Sequence, residues 1–142
     1  GMTNVSFVAQ TADWIPAHLF ETLKAAYHHK GFSFVRILQR CPIWTAKIFE
    51  EAVQTPDLTE FLVHDEGVWA ATLDQVYKRK LYHDPRDLDS ARRLAEPGDR
   101  IRLGVFYRNE EVPRYEEIRR LPARTSDERV EVVSGELDRF AI

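Results

Sequence analysis

Apolar and polar positions alternate in short runs that proline, glycine and acidic residues interrupt, which divides the chain into strands and helices. Asn4 to Gln10 reads as a strand, with Val5, Phe7 and Val8 set around Ser6. Thr11 to Asp13 breaks that pattern, and Asp13 is placed to cap a helix that carries Pro16 in its first turn. Along that helix Leu19, Phe20, Leu23, Ala26 and Tyr27 recur at helical spacing and predict a core-facing stripe. Glu21, Lys24 and His28 fall on the other side, and Lys30-Gly31 supplies an ending. Phe32 to Gln39 is a second strand. Phe34, Val35, Ile37 and Leu38 leave it little polar surface, which predicts a central strand covered on both faces. The three segments make a right-handed, parallel βαβ unit.

After the Cys41-Pro42 turn, Thr45 is placed to cap a short helix with Ile48, Phe49, Ala52 and Val53, stopped at Pro56-Asp57. Phe61 to His64 fits a short strand. Leu73, Val76, Tyr77, Lys80 and Leu81 have helical spacing. Asp84-Pro85 has the form of a cap followed by a first helical residue, and Leu88, Ala91 and Leu94 continue that helix to Pro97-Gly98. Ile101 to Tyr107 is a late strand in which Ile101, Leu103, Val105 and Tyr107 alternate with Arg102, Gly104 and Phe106. Arg129 to Val133 reads as an edge strand or a loosely held tail. There is no internal repeat or low-complexity linker, so the pattern describes one α/β layer structure.

Composition narrows the classes. At 142 residues, 44% hydrophobic and 30% charged, the chain fits one folded domain with its own core. A net charge of −3 without a clustered basic stretch argues against nucleic-acid binding. No apolar run approaches the roughly 20 residues that span a bilayer, and no signal segment is evident, so a cytoplasmic protein is expected. Gly1 ahead of Met2 reads as a residue left by tag removal. Cys41, the single cysteine, cannot form an internal disulfide, which fits a reducing compartment.

Chemistry-bearing patterns are sparse. There is no GxGxxG, GxxxxGK[ST] or GxSxG sequence. Gly98-Asp99-Arg100 lies between a helix and a strand, the wrong order for a phosphate cradle. His28 and His29 are adjacent, so on a helix they diverge by about 100° and do not pair on a metal. His64-Asp65-Glu66 and Tyr82-His83-Asp84 are two acidic histidine clusters. They either converge on a divalent metal or serve as loop and cap residues. Cys41 follows the second strand at its carboxyl end, where ligand sites gather in open parallel sheets. The plainer reading of Cys41 is a small buried thiol.

Several segments, in order, resemble the C-terminal part of the thiamine-diphosphate-binding beta subunit of 2-oxoacid:ferredoxin oxidoreductases. VSFVAQ at 5–10 is similar to that family's "TFVAR" strand, HKGFSFV at 29–35 to "HKGF.FV", and QRCP at 39–42 to "QPCP" or "SPCV". HDP at 83–85, IRLGVFY at 101–107 and PRYE at 113–116 resemble "HDP", "IPLGVFY" and "RPTYE". The resemblance covers residues 4–117; 1–3 are scar and start, and 118–142 are a charged extension without a recognised counterpart. It implies an α/β partial thiamine-diphosphate-binding fold, a mostly parallel sheet with helices on both faces. The parent family uses thiamine diphosphate, a divalent metal and iron–sulfur clusters.

That family's GDG…Asn motif lies before the "TFVAR" strand and is not found in this sequence. The isolated chain is therefore expected to hold no cofactor and not to catalyse alone. Cys41 matches a cysteine that, in cluster-bearing members, is one of four ligands to a 4Fe–4S cluster, and is the candidate single iron–sulfur ligand. The family often continues "TFN" after this turn, whereas Ile43-Trp44-Thr45 follows here, which weakens any active-site role for the turn. The first functional expectation is a portion of a beta subunit. It would contribute to oxidative decarboxylation of a 2-oxoacid to acyl-CoA only with a partner chain carrying the GDG half, and with an alpha subunit. This expectation requires an exposed apolar face. The second is a non-catalytic, stand-alone binding or interaction module, homodimeric through that face. An independent hydrolase or transferase has no motif to support it.

Overall fold

A computed structural model describes residues 5–45, 47–119 and 124–139. Strands β1 (Val5–Ala12) and β2 (Phe32–Leu38) pair in parallel on either side of helix α1 (Pro16–His28), the βαβ unit the alternation predicts. A short helix α2 (Glu50–Gln54) leads to β3 (Thr59–Val63) and then β4 (Lys80–Tyr82). Helix α3 (Leu88–Ala95) precedes β5 (Ile101–Arg108), followed by α4 (Tyr115–Ile118) and α5 (Ser126–Asp138). The five-stranded sheet has the order β2-β1-β5-β3-β4. β5 runs parallel to β3 but antiparallel to β1, so two parallel halves meet at one antiparallel junction.

Alternation along the strands sends neighbouring residues to opposite faces. Phe7, Ala9 and Val105 pack beneath Ala25 and Ala26 of α1, and Phe61 and Leu103 join Ile15 and Leu73. Leu62 and Phe106 point the other way, onto Ala91 and Leu94 of α3. Helices therefore lie on both faces. Gly104 has φ +130, and a Cβ there would sit 2.7 Å from the Leu62 carbonyl oxygen, so glycine is required where β5 meets β3.

Several sequence expectations are corrected. β2 is an edge strand, not a central one, and Phe32, Phe34 and Ile37 are exposed. Helix α1 turns the other way from its apolar stripe: Phe20 is 64% and Tyr27 84% exposed, whereas His18 and Thr22 are fully buried. The polar pair makes most of its hydrogen bonds inside, and His18 Nε2 alone of its polar side-chain atoms is buried without a protein partner. Thr11 Oγ1 lies 2.8 Å from His18 Nδ1, and Thr22 Oγ1 donates to the His18 carbonyl at 2.7 Å. Burial holds the His18 pKa down at about 4. Asp13 caps nothing; it accepts from the Arg40 backbone N–H at 3.0 Å and from Arg40 Nε at 3.2 Å.

Residues 71–81 do not form an α-helix. Ala71–Gln75 is a 3-10 turn, and Lys80-Leu81-Tyr82 is drawn into the sheet beside Phe61-Leu62-Val63. Asp84 closes a turn onto the Arg86 N–H. It is Asp87 that caps α3, accepting from the Asp89 and Ser90 N–H groups. α2 begins at Glu50, because Thr45 is used in the preceding turn. Arg129 to Val133 belongs to α5, not a strand; Thr125 and Glu128 bond each other's backbone N–H at its start. Every α5 side chain described is exposed. Among the described residues no helix is long and apolar enough to cross a membrane.

Candidate functional site

The opposed halves of the sheet place the sequence-derived candidates at opposite ends. Cys41 follows the carboxyl end of β2, half-buried, with a free thiol. Its turn is pinned at three points. The Cys41 N–H donates to Thr45 Oγ1, Thr45 Oγ1 donates to the Gln39 carbonyl (both 2.6 Å), and Asp13 holds Arg40. Trp14 adds a ring beneath the Arg40 guanidinium. Around this rigid turn Ile43, Trp44 and Ile48 are exposed, and Phe32, Phe34 and Ile37 carry apolar surface along β2. The other face of β1 and β2 borders a groove of about 460 Å³, lined by Val8, Gln10, Phe34, Arg36, Leu94 and Phe106. The open apolar surface and the thiol thus belong to the same half of the sheet.

The histidines gather at the far end, where β3, β4 and β5 finish and β1 and β2 begin. His64 and His83 follow β3 and β4 directly, and their ring centres are 6.0 Å apart and nearly perpendicular. The two acidic histidine clusters do converge, across a cleft of about 510 Å³ that also holds Arg108 and Glu110. Among the described residues no three metal-ligating side chains are grouped closely enough to hold an ion. Arg108 bonds Glu110 at 2.5 Å and approaches Glu66 at 3.4 Å. Burial lowers the His64 pKa, and the neighbouring His83 and Arg108 lower it further. Hydrogen bonding from Arg108 is the main cause that lowers the Glu110 pKa.

His29 joins this end as the extended residue that follows α1, buried where the neighbouring His28 is exposed, so the two do not act as a helical pair. His29 Nε2 lies 2.7 Å from Ser6 Oγ, and Nδ1 faces Glu110 at 3.7 Å. Burial lowers the His29 pKa against the opposing pull of Glu110. A hydroxyl, an imidazole and a carboxylate in that order have the connectivity of a hydrolytic triad. Ser6 is fully buried, however, and a Cβ on Gly31 would stand 2.2 Å from its oxygen. The hydroxyl has no room to meet a substrate carbonyl, so this network is structural. No local pattern signalled it, since Ser6, His29 and Glu110 are brought together only by sheet pairing. Gly98-Asp99-Arg100 sits between α3 and β5, as expected, and not at a helix start.

Comparison with known proteins agrees with the order of segments. Residues 71–121 match a family model for the C terminal of the pyruvate ferredoxin oxidoreductase beta subunit. Over 116 residues, 79% of the chain, it is 32% identical to a Sulfolobus protein named 2-oxoacid:ferredoxin oxidoreductase subunit beta. The corresponding Saccharolobus solfataricus protein is 30% identical over the same length, and an Aeropyrum pernix one 29%. The matched region covers 34%, 34% and 33% of those three proteins, so the chain spans about a third of each relative's length.

Proposed function

We propose that the chain, which is similar to the C-terminal part of 2-oxoacid:ferredoxin oxidoreductase beta subunits, works as that portion of such an enzyme, taking part in oxidative decarboxylation of a 2-oxoacid to an acyl-CoA only when joined to a polypeptide bearing the GDG motif. The observation that carries this reading is the open apolar region. The outward stripe of α1, the apolar edge strand β2 and the exposed Ile43-Trp44 turn that follows Cys41 all leave apolar side chains in water in the same half of the sheet. An uncapped edge strand with apolar side chains is a liability in isolation and an asset when another layer covers it.

The residues present do not make a thiamine diphosphate site. Among the described residues no glycine loop opens a helix, and the positive-φ glycines, Gly31 and Gly104, lie just before β2 and within β5. Nor do they make a cluster site, which takes four thiolates as a rule where this chain has one. Cys41 would supply a single ligand to a 4Fe–4S cluster whose other three come from the partner polypeptide, and an alpha subunit would complete the enzyme.

Co-expression with a GDG-bearing chain that carries three cysteines tests the reading. The two should co-purify with iron–sulfur absorbance, and Cys41→Ser should remove the absorbance while leaving the association intact. A chain that ignores such a partner and sediments as a stable homodimer without iron would instead be the stand-alone interaction module.

A further inference from the structure

We propose that His64 and His83 form a two-imidazole site for a borderline divalent transition-metal ion such as Zn²⁺, separate from Cys41 and independent of the enzyme reading above. The bonding of His83 is the starting point. Its Nε2 lies 2.8 Å from the Val105 carbonyl oxygen, which can only accept, so the proton sits on Nε2. Nδ1 is then a bare lone pair, and it is buried without any protein partner. A histidine whose second nitrogen donates to a backbone carbonyl has the tautomer and fixed ring orientation of metal-ligating histidines. His64, whose ring lines the same cleft, likewise has its Nε2 buried without a protein partner.

The spacing suits a shared ion. With metal–nitrogen bonds of about 2.0 Å, each ring centre stands about 3.2 Å from the metal, which allows centres up to about 6.4 Å apart. The observed 6.0 Å lies within that limit. Tetrahedral geometry asks for roughly 5 Å, so loading would draw the rings together by about 1 Å. The surroundings favour a cation. Asp65, Glu66, Asp84 and Glu110 line the cleft against Arg86 and Arg108, and Arg108 is already engaged by Glu66 and Glu110. Among the described residues no third side chain completes the set, so water fills the remaining positions and the affinity is modest. Two imidazoles and water select a borderline ion such as Zn²⁺, Co²⁺ or Ni²⁺ over Mg²⁺ or Ca²⁺, which take oxygen ligands.

Calorimetric titration of the tag-free full chain with Zn²⁺ decides the matter, with Mg²⁺ as the contrasting ion. One equivalent of Zn²⁺ should bind, with affinity weakened about tenfold or more in His64→Ala and in His83→Ala. Cys41→Ser and His28→Ala should bind as the parent does. His83→Ala also frees the Val105 carbonyl and can disturb the fold. His64→Ala, whose buried nitrogen makes no bond, keeps the test decisive. No stoichiometric uptake, equal binding of Mg²⁺, binding unchanged by His64→Ala, or binding lost in Cys41→Ser would each overturn the proposal.

Discussion

The two halves of the sheet use similar residues to different ends. In the β5–β3 half, Phe61 and Leu103 on one face and Leu62 and Phe106 on the other are buried beneath helices or turns. In the β1–β2 half only the face toward α1 is closed, and Phe34 on the other face is 53% exposed. One half is a finished core and the other offers its apolar groups outward. The stability of the isolated chain should therefore reside in the first, and its capacity for assembly in the second.

Substitutions break or sharpen this contrast. Phe61→Ala, in the closed half, should cost about 3–5 kcal/mol by chemical denaturation, through lost transfer energy and a cavity ringed by His18, Trp69 and Tyr77. A loss under about 1 kcal/mol would mean that this half is not the folding core.

Acid should act next, through the seam between α1 and the sheet. Unfolded His18 takes a proton near 6.5, whereas folded His18 takes one only near 4. Between those values the unfolded chain binds more protons, so stability falls as pH drops from 6.5 toward 4, by about 3 kcal/mol in all. Denaturation midpoints across that range should decline in the parent and decline less in His18→Phe.

Asp13→Ala removes a half-exposed ion pair and a backbone acceptor at the Cys41 turn, and should cost about 1 kcal/mol or less. Smallest of all, Phe34→Ser or Tyr27→Ser should change the isolated chain's stability by no more than about 0.5 kcal/mol, since both side chains are already in water. The same two substitutions should abolish co-purification with the GDG-bearing polypeptide. Equal losses of stability in both halves would dissolve the distinction.

Local patterns were legible where a single element carried its own signal. The βαβ unit, the alternation of Ile101 to Tyr107, the short strand before His64 and the termination of α3 ahead of Pro97-Gly98 all appear at or near their expected places. Caps were less legible. Asp13, Thr45 and Asp84 each have the right chemistry for a helix start, yet each bonds a nearby turn or loop, because a short polar side chain serves either purpose. Of the candidate sites, Cys41 stands at the strand end where it was expected and the two acidic histidine clusters converge as one alternative had them. The Arg108–Glu110–His29–Ser6 network had no signal in any local stretch.

Residue order alone was enough for the α/β class, the opening βαβ unit and the family likeness, because periodicity and short motifs are properties of neighbouring residues. Three-dimensional packing settled which side of α1 faces inward, that β2 lies at an edge, and which end of the sheet gathers the histidines. Those outcomes depend on pairings between residues far apart in the chain, and on whether a buried polar group such as His18 meets a partner there, as its Nδ1 does in Thr11.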